Sequence, residues 1–226
     1  MAITDFWYSD RMTILIALCC LCAFAIGGIP FGYLVGRLVL KDDIRRHGSG
    51  NIGATNVARV IGWRWGGLVL VLDAFKGLLP SLATGLLVKS RDPDHQLTAE
   101  IIAGVSAIVG HMYPVWLRLR GGKGVATALG VIIVIAPVAS GVAVAVFAAV
   151  AAATRIIALA SITAVTAFAT AQFTVLFRNG TLVKHWPLTA FALSMPALIV
   201  WRHRSNISRL WRGEEKAVAP SSVPPA

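Results

Sequence analysis

Charged residues are scarce in this sequence. Asp, Glu, Lys and Arg make up 14% of its 226 residues and hydrophobic residues make up 57%, whereas soluble domains have about 25% and 45–50%. The period-two alternation that marks the strands of a membrane β-barrel is also missing. Because backbone groups inside a bilayer must be satisfied within helices or closed barrels, the composition predicts an all-α integral membrane protein.

Cysteine is rare as well. Cys19, Cys20 and Cys22 lie around one helical turn of the first apolar run, without a neighbouring histidine or carboxylate. We expect them to be packing or lipid-facing residues rather than ligands or redox groups. The histidines are scattered, and no His, Asp and Glu set has metal-ligand spacing, so the sequence indicates no metal and no cofactor.

A basic segment before the first apolar run is also missing. Asp5, Asp10 and Arg11 precede a run that continues to about residue 40. A cleavable signal peptide has a basic start and a shorter apolar core. We therefore expect this run to remain as a membrane span.

Apolar runs of about 20 residues, the length that crosses a bilayer as a helix, recur along nearly the whole chain. Hydropathy and helix breakers predict seven transmembrane helices, some of them short or broken, at residues 12–40, 65–88, 98–118, 124–136, 137–154, 156–178 and 185–203. The fourth and fifth depend on a break at Ala136-Pro137, because proline interrupts helices. Without that break, one long helix would reduce the number of spans to six.

The distribution of basic residues favours seven spans. Lysine and arginine gather in cytoplasmic loops, and an outside N-terminus puts most of the 21 basic residues on the inner side, in segments 41–64, 118–123, 155 and 202–216. The sequence thus predicts a cytoplasmic C-terminus, one domain over residues 1–213 and a disordered tail over 214–226. These inner loops explain the net charge of +11 without a nucleic-acid partner.

Polar residues form three clusters that this topology places on the cytoplasmic side. The first is Ser49–Arg59, the second combines His111 with the loop Gly121–Gly124, and the third is Arg202–Arg209. Glycines let backbone N–H groups approach an anion, and a helix N-terminus favours negative charge. The convergence of the clusters therefore predicts an anion site suited to phosphate. Taken alone, the second cluster also fits a simple interhelical turn, and the third fits a lipid headgroup anchor.

Two nucleotide-binding motifs are matched only superficially. Leu117 stands where a Walker A loop needs its first glycine, and Gly124 stands where it needs Ser or Thr. The stretch Gly48–Gly53 has GxGxxG spacing, but it follows a charged segment rather than a strand. The sequence thus supports neither nucleotide hydrolysis nor dinucleotide binding.

Asp73 and Lys76 are ionisable residues inside the second predicted span. Their spacing puts them on one helical face, where they can pair. A matched pair lowers the free energy of burying each charge, so we favour structural pairing over direct substrate contact. His111 has two interpretations at this point, as a general base or as an orienting hydrogen-bond donor.

In this order, the clusters resemble those of the bacterial acyl-phosphate:glycerol-3-phosphate acyltransferase family known as PlsY, over residues 27–214. The resemblance rests on Ser49-Gly50-Asn51-Ile52-Gly53-Ala54-Thr55-Asn56 with Arg59, on residues 73–77, on Gly110-His111 with Gly121-Gly122-Lys123-Gly124, and on His203-Arg204 with Asn206, Arg209 and Leu210. It implies a seven-span enzyme of the bacterial inner membrane, surrounded by membrane lipids, whose active site faces the cytoplasm. It gives no indication of the oligomeric state.

The resemblance also implies a reaction. A fatty acyl group would move from acyl phosphate to the 1-hydroxyl of sn-glycerol 3-phosphate, giving 1-acyl-sn-glycerol 3-phosphate (lysophosphatidic acid) and phosphate in an early step of phospholipid synthesis. The His-x4-Asp pair of acyltransferases with soluble donors is absent from this sequence. Since acyl phosphate is an activated donor, positioning and charge stabilisation are expected to replace a strong base, and phosphate itself could accept the hydroxyl proton.

Residue roles follow from the same resemblance. The catalytic candidates are Ser49, Arg59, His111 and Lys123, and the substrate-binding candidates are Asn51, Asn56, Gly121, Gly122, Gly124, His203 and Asn206. Arg59 and Lys123 would neutralise phosphate, while the amides of the glycine loop would cradle it. Family members usually have a serine near Ala158, and here Ser161 is the candidate to replace it.

Two other function classes fit parts of the sequence. A transporter or flippase for a phosphorylated anion would bind its cargo with the same broken helix and cationic loops, although no internal repeat is present and the clusters lie on one face. A non-catalytic membrane scaffold would explain the basic anchors. It would leave Asn51, Asn56 and Asn206 without a purpose.

Overall fold

The fold consists of α-helices throughout the described part of the chain. The computed structural model describes residues 3–217, with side chains from residue 11 onward. The helices are α1 (Ile3–Gly27), α2 (Phe31–Val35), α3 (Ala54–Val60), α4 (Trp63–Lys89), α5 (Gln96–Met112), α6 (Val125–Ile135), α7 (Pro137–Thr154), α8 (Ile157–Arg178), α9 (Trp186–Arg202) and α10 (Arg204–Trp211). A π-helical turn at Gly36–Leu40 and 3-10 turns at Ile44–Arg46, Pro93–His95 and Val115–Leu117 complete the elements. Residues 3–217 contain no β-strand, which confirms the all-α prediction.

Within the described residues, five helical segments are long and apolar enough to cross a membrane. They are Arg11–Leu40, Trp63–Lys89, Pro93–Leu117, Pro137–Thr154 and Ile157–Arg178. The predicted fourth and seventh spans are also helices, but α6 has 11 residues and α9 has 17. At 1.5 Å per residue, α6 extends only about 16 Å, roughly half the hydrocarbon thickness. Seven crossings and their orientation stay predictions.

A break at Ala136 turns the long apolar run into a helical hairpin. Ala136 has φ −153° and ψ 62°, outside the helical region, and Pro137 begins α7. Lys123, just before α6, and Ile157, just after α7, line the same cavity. Both ends of the α6–α7 segment therefore return to the same end of the molecule, so the predicted break is confirmed and one continuous helix is excluded.

The first apolar run is interrupted, which its hydropathy did not predict. α1 ends at Gly27, and α2 begins only after Pro30. Backbone groups freed by such a break need partners when water is excluded. The Ile29 carbonyl accepts a hydrogen bond from Nζ of Lys76 at 2.8 Å. A buried lysine on α4 thus stabilises the interruption.

α4 has a polar side toward the protein and an apolar side toward the surroundings. Its buried residues recur every three or four positions, as in Val69, Asp73, Lys76, Pro80 and Thr84. Its exposed residues are large and apolar, among them Leu70, Phe75, Leu79 and Leu86. This inverted distribution is expected for a helix whose outer face meets lipid.

Glycines allow α4 and α6 to cross at very short range. A Cβ added to Gly77 would collide with the Thr127 carbonyl, and one added to Gly130 would collide with the Ala74 carbonyl. Small residues at such crossings let helix backbones approach closely. The crossing places the start of α6 beside the polar face of α4.

Two parts of the apolar interior adjoin the site, besides a small alanine cluster of Ala23, Ala103 and Ala107 between α1 and α5. The larger part lies among α5 to α9 and includes Ile108, Val131 and Phe168. The smaller part supports the segment from the end of α2 to α3, with Ile44 and Val57 fully buried. The polar clusters lie between these two parts.

Candidate active site

A cavity of about 260 Å³ opens among α3, the first half of α4 and the starts of α6 and α8, with Phe147 of α7 and the junction of α9 and α10 completing its lining. Its lining contains candidates from all three polar clusters: Ser49, Asn51, Asn56, Arg59, His111, Lys123, Gly124, His203 and Asn206. These side chains are up to 157 positions apart in sequence, as in the pair Ser49 and Asn206. The structure therefore joins the three clusters in one site.

Asn56 holds the first cluster in shape. Its side chain is 1% exposed. Its Oδ1 accepts a hydrogen bond from the Ser49 amide at 2.7 Å, and its Nδ2 donates to the carbonyls of Asn51 at 2.8 Å and His47 at 3.1 Å. With its amide engaged by the loop backbone, Asn56 positions the loop, whereas we had expected it to hold polar substrate atoms itself.

Asn51 and Ser49 offer polar groups from the loop that Asn56 supports. Oδ1 of Asn51 accepts a hydrogen bond from the Gly53 amide at 2.8 Å, which supports the residue that caps α3. Both residues line the cavity, and the Ser49 side chain is exposed. The loop thus presents a hydroxyl and an amide to a ligand.

Arg59 extends from the last turn of α3 to the cavity. Its Nε is buried and has no hydrogen-bond partner within the described residues. One terminal nitrogen donates to the Lys216 carbonyl over a long 3.4 Å. Buried polar groups nearly always have a partner, so a buried guanidinium nitrogen without one beside a cavity indicates a site for an anion.

Lys123 and the start of α6 form the cationic wall of the cavity. Gly124 has φ +86°, a left-handed conformation that favours glycine, and leads into α6. The first bond of the helix runs from the Ala128 amide to the Gly124 carbonyl, which leaves the earlier amides without a helical partner. Burial lowers the pKa of Lys123 to about 8, and Arg209, Arg59 and Arg202 add to this shift.

The structure corrects the roles predicted for Gly121 and Gly122. Their amides donate to the carbonyls of Met112 and His111 at 3.1 Å, so they are unavailable to cradle phosphate. Neither residue lines the cavity. They are glycines because a Cβ would collide with the His111 carbonyl or its ring. Arg202 donates to the Gly122 carbonyl at 2.7 Å and fixes the loop from behind.

His203 and Asn206 form the third wall. Nδ1 of His203 donates to the Ile199 carbonyl at 2.8 Å, which assigns the proton to Nδ1 and leaves Nε2 as an acceptor. Burial, reinforced by Lys123, lowers the pKa of His203 to about 4, so the ring is neutral at neutral pH. Oδ1 of Asn206 accepts a hydrogen bond from Lys123 Nζ, which links the second and third clusters.

His111, Asp73 and Lys76 connect the cavity with the interior. Lys76 Nζ lies 2.8 Å from Oδ1 of Asp73, and both side chains are buried, as the pairing hypothesis predicted. His111 Nδ1 lies 3.7 Å from the same oxygen, too far for a hydrogen bond. His111 and Asp73 both line the cavity. This row of charged and polar groups forms its floor.

An apolar groove continues from the polar cavity. It has a volume of about 260 Å³ and is lined by apolar side chains of α4, α6, α7, α8 and α9, including Leu129, Phe168 and Met195. Leu70, Val125, Ala126 and Phe147 line both the groove and the polar cavity. The combined space accepts a ligand with an anionic head and a long apolar chain.

Several lining residues were not site candidates in the sequence. Trp63 and Phe147 are apolar residues in apolar runs, so no local signal distinguishes them. Ser161 and Ala158 both line the cavity, and the replacement of the family serine by Ser161 stays a prediction. Its Oγ donates to the Ile157 carbonyl at 2.8 Å.

The chain also places an acidic residue in the cavity. Glu215, in the segment that we expected to be disordered, lines the cavity together with Lys216. The remainder of that predicted tail, residues 218–226, lies outside the described residues. For metals, residues 3–217 bring together no group of three or more His, Cys, Asp or Glu side chains.

A comparison with known families agrees with this site. The family model described as glycerol-3-phosphate acyltransferase matches residues 17–213, which is most of the chain. The chain belongs to the glycerol-3-phosphate acyltransferase family. The predicted family and acyltransferase activity are thereby confirmed.

Relatives and solved structures show the same similarity. Glycerol-3-phosphate acyltransferases of Myxococcus xanthus and Anaeromyxobacter sp. are 46% and 45% identical over 198 and 196 residues, covering 87% and 85% of this chain and 96% and 91% of the relatives. A crystal structure of PlsY, an integral membrane glycerol 3-phosphate acyltransferase, in its glycerol 3-phosphate form has a TM-score of 0.78 at 37% identity, covering 90% of this chain and 96% of that one. The lysophosphatidic acid form has a TM-score of 0.74 at the same identity, covering 89% of this chain and 94% of that one. The acyltransferase is thus a multi-pass membrane protein.

Proposed function

We propose that this acyltransferase uses acyl phosphate as its donor. It transfers the fatty acyl group to the 1-hydroxyl of sn-glycerol 3-phosphate, giving 1-acyl-sn-glycerol 3-phosphate and phosphate. The enzyme lies in the bacterial inner membrane, with seven spans, an outside N-terminus and the active site toward the cytoplasm. The observation that carries this proposal is the single space that combines a cationic cavity with an apolar groove.

The shape of this space fits both substrates. Acyl phosphate is a phosphate attached to a long apolar chain, so its chain lies in the groove and its phosphate lies in the cavity. Glycerol 3-phosphate is small and polar and enters the cavity alone. PlsY structures in glycerol 3-phosphate and lysophosphatidic acid forms, whose fold this chain shares, support the assignment of acceptor and product.

The charges of the cavity fit two phosphates. Arg59 has an unsatisfied buried Nε, and Lys123 and Arg209 lie close enough to affect each other's charge. The amides at the start of α6 add the positive end of a helix dipole. This arrangement neutralises the leaving phosphate and attracts the phosphate of the acceptor.

The chemical step breaks one bond and forms another. The acceptor hydroxyl oxygen attacks the carbonyl carbon of acyl phosphate, an ester C–O bond forms, and the bond between that carbon and the phosphate oxygen breaks. The departing phosphate oxygen takes the hydroxyl proton, which balances the reaction. Arg59 and Lys123 stabilise the negative charge that develops on the phosphate.

Positioning of the two substrates lowers the activation barrier in place of a strong base. Neutral His203 orients the glycerol hydroxyl through Nε2, while Asn51 and Ser49 hold polar atoms of the substrates near the carbonyl. Holding two reactants in line converts a bimolecular reaction into a nearly unimolecular one, which contributes on the order of 7–11 kcal/mol to the fall in barrier. His111 supports the floor of the cavity beside Asp73.

Donor choice tests this proposal. We expect the protein, purified in detergent, to acylate glycerol 3-phosphate from palmitoyl phosphate, and to give no product from palmitoyl-CoA or palmitoyl acyl carrier protein. The ester product is measured by mass spectrometry. Turnover with the thioesters alone would overturn the assignment.

A further inference from the structure

A second cavity, of about 1250 Å³, lies behind the loops of the active site and shares no lining residue with the active-site cavity. The loop between residues 49 and 53 separates the two spaces. Ser49, Asn51 and Gly53 line the active-site cavity. The residues between them, Gly50 and Ile52, line the second cavity.

The second cavity is strongly cationic. Its described lining contains five arginines and no aspartate or glutamate, so we call it the arginine pocket. The arginines are Arg45, Arg46, Arg118, Arg120 and Arg202. They come from three separate segments of the chain, which the fold brings together around one space.

Two of these arginines have carboxylate partners outside the pocket lining. Nε and a terminal nitrogen of Arg45 donate to the two carboxylate oxygens of Asp43 at 3.0 and 2.7 Å. Arg46 lies 3.6 Å from a carboxylate oxygen of Asp42. The negative charges of Asp42 and Asp43 thus offset only the arginines of this one segment.

The other three arginines have no carboxylate within 4 Å among residues 11–217. Arg202 donates to the carbonyls of Gly121 and Gly122, which carry no net charge. Arg118 and Arg120 are exposed, and neither side chain has a hydrogen bond or an ion pair within the described part of the chain. The pocket therefore has an excess of positive charge from three guanidinium groups.

An uncommon backbone conformation presents the two free arginines. Arg118 and Leu119 have φ +52° and +62°, the left-handed region that side chains other than glycine rarely adopt. The turn is held by hydrogen bonds from the Leu119 amide to the Pro114 carbonyl at 3.0 Å and from the Arg120 amide to the Leu117 carbonyl at 3.2 Å. Residues in such sparsely populated conformations are concentrated at ligand sites.

The edge of the pocket is apolar and lies beside the end of the first helix. Leu34, Trp116 and Leu119 line the pocket and are 42%, 67% and 55% exposed. The indole nitrogen of Trp116 lies beside Gly28, immediately after α1. Because tryptophan is enriched where a membrane meets water, the pocket lies at the boundary between apolar helices and basic loops.

We propose that the arginine pocket binds an anionic phospholipid of the surrounding membrane, with its phosphate on Arg118 and Arg120 and its acyl chains along Leu34 and Trp116. Guanidinium groups make strong charge-assisted hydrogen bonds to phosphate oxygens. Basic pockets beside membrane helices, on the side predicted to be cytoplasmic here, are suited to such headgroups.

This lipid supports the active site without entering it. It contacts Gly50 and Ile52 from the side opposite to the substrates, and it also contacts Gly121 of the glycine loop. Arg202 connects the pocket with the carbonyl of Gly122. The inference does not depend on which acyl donor the enzyme uses.

Lipid binding to the full chain tests the pocket. Native mass spectrometry in detergent gives the dissociation constants of dioleoyl phosphatidylglycerol and dioleoyl phosphatidylcholine. We expect the unmodified protein to prefer phosphatidylglycerol. The double variant Arg118→Gln, Arg120→Gln should weaken phosphatidylglycerol binding about tenfold or more, because the phosphate loses two charged donors.

The matched control is the double variant Arg37→Gln, Arg64→Gln. It also removes two exposed arginines, and neither of them lines the pocket. We expect its phosphatidylglycerol binding to equal that of the unmodified protein. An equal loss in both double variants would assign the binding to general surface charge. That result, or equal affinity of the unmodified protein for the two lipids, would overturn the proposal.

Two further arms distinguish the sources of a bound phosphate. Arg59→Ala removes a cation of the active-site cavity, so phosphatidylglycerol binding should be unchanged if the lipid lies in the arginine pocket. Inorganic phosphate lacks acyl chains, so an equimolar amount should displace almost no lipid. Loss of binding in Arg59→Ala would place the lipid in the active site, and displacement by phosphate would assign the pocket to a free anion. Either result would contradict the inference.

Hydrogen exchange locates the bound lipid independently of the arginine variants. In Arg59→Ala, phosphatidylglycerol should slow amide exchange in segments 45–52 and 116–121, and phosphatidylcholine should not. Slower exchange confined to the helices that line the apolar groove, with both segments unchanged, would show that the lipid binds elsewhere and would overturn the proposal.

Discussion

At the scale of single residues, we propose that Arg59 and Lys123 carry the charge on which acyl transfer depends. Arg59 has a buried Nε without a partner among residues 11–217, and Lys123 is bound to Asn206 in the same cavity. Removing one donor that stabilises developing negative charge reduces kcat by about 10²- to 10³-fold in comparable sites. The two residues therefore give the sharpest mutational tests of the site.

Arg59→Ala is expected to reduce kcat by about 10²- to 10³-fold because the leaving phosphate loses its guanidinium partner. Initial rates of ester formation in detergent measure the change. Arg64→Ala is the matched control, since Arg64 is an exposed arginine nearby that does not line the cavity. Comparable rates in the two variants would show that Arg59 is outside the active site.

The lowered pKa of Lys123 predicts that the activity depends on pH. Its pKa of about 8 means that the ammonium loses its proton as pH rises through that value. We therefore expect kcat/KM to be constant below about pH 7 and to fall tenfold per pH unit above about pH 9. Lys123→Arg keeps the charge, so its alkaline decline should disappear even though its rate is lower. An unchanged decline in that variant would assign the pH dependence to another group.

Particular residues show which parts of the candidate site could be predicted from the sequence and which could not. The clusters that contain Ser49, Arg59, Lys123, His203 and Asn206 were found because polar residues among small ones are unusual beside apolar spans. The roles predicted for these residues came from the family resemblance. The backbone partners of the Gly121 and Gly122 amides could not be predicted, since they depend on how the loop folds back on α5.

At the scale of elements, helix crossings set the position of the cationic wall. Gly130 on α6 lies against the Ala74 carbonyl of α4, and the crossing fixes where α6 begins. The hydropathy pattern indicated both helices but not their distance, because close contact requires two surfaces to match. The break at Ala136 could be predicted, since proline has a local effect.

Gly130→Ala is expected to lower stability by about 1–3 kcal/mol because its methyl group would force α4 and α6 apart. Gly141→Ala is the control. Gly141 lies on α7 with nothing within 4 Å of an added Cβ, so alanine there should be neutral or stabilise the helix by about 1 kcal/mol. Thermal unfolding in detergent measures both changes. Equal melting temperatures would contradict the close crossing.

The hydropathy pattern also did not predict the interruption of the first helix after Gly27. The residues Gly28 to Pro30 are apolar or small, so they continue the run in sequence. The structure breaks the helix there and satisfies the Ile29 carbonyl with Lys76. Pro30 disfavours a continuous helix there, as Pro137 does after Ala136, and Lys76 on a different helix satisfies the carbonyl that the break frees.

At the scale of the whole molecule, topology explains why three distant clusters form one site. Helix ends that lie on the same side of the bundle bring their loops together, and the distribution of basic residues predicted which loops share a side. The apolar groove was not predicted, because its walls are side chains of five helices that look like ordinary span residues. Glu215 was not predicted either, since the composition of its segment is typical of a disordered tail.

The central claim is that acyl phosphate and glycerol 3-phosphate react in this cavity. The most direct measurement counts ester and inorganic phosphate in the same reaction, with purified protein and palmitoyl phosphate as the donor. The account predicts equal amounts of 1-acyl-sn-glycerol 3-phosphate and phosphate, and neither product when glycerol 3-phosphate is omitted. Phosphate release without ester, or uptake of labelled glycerol 3-phosphate into protein-containing vesicles with no ester formed, would contradict it.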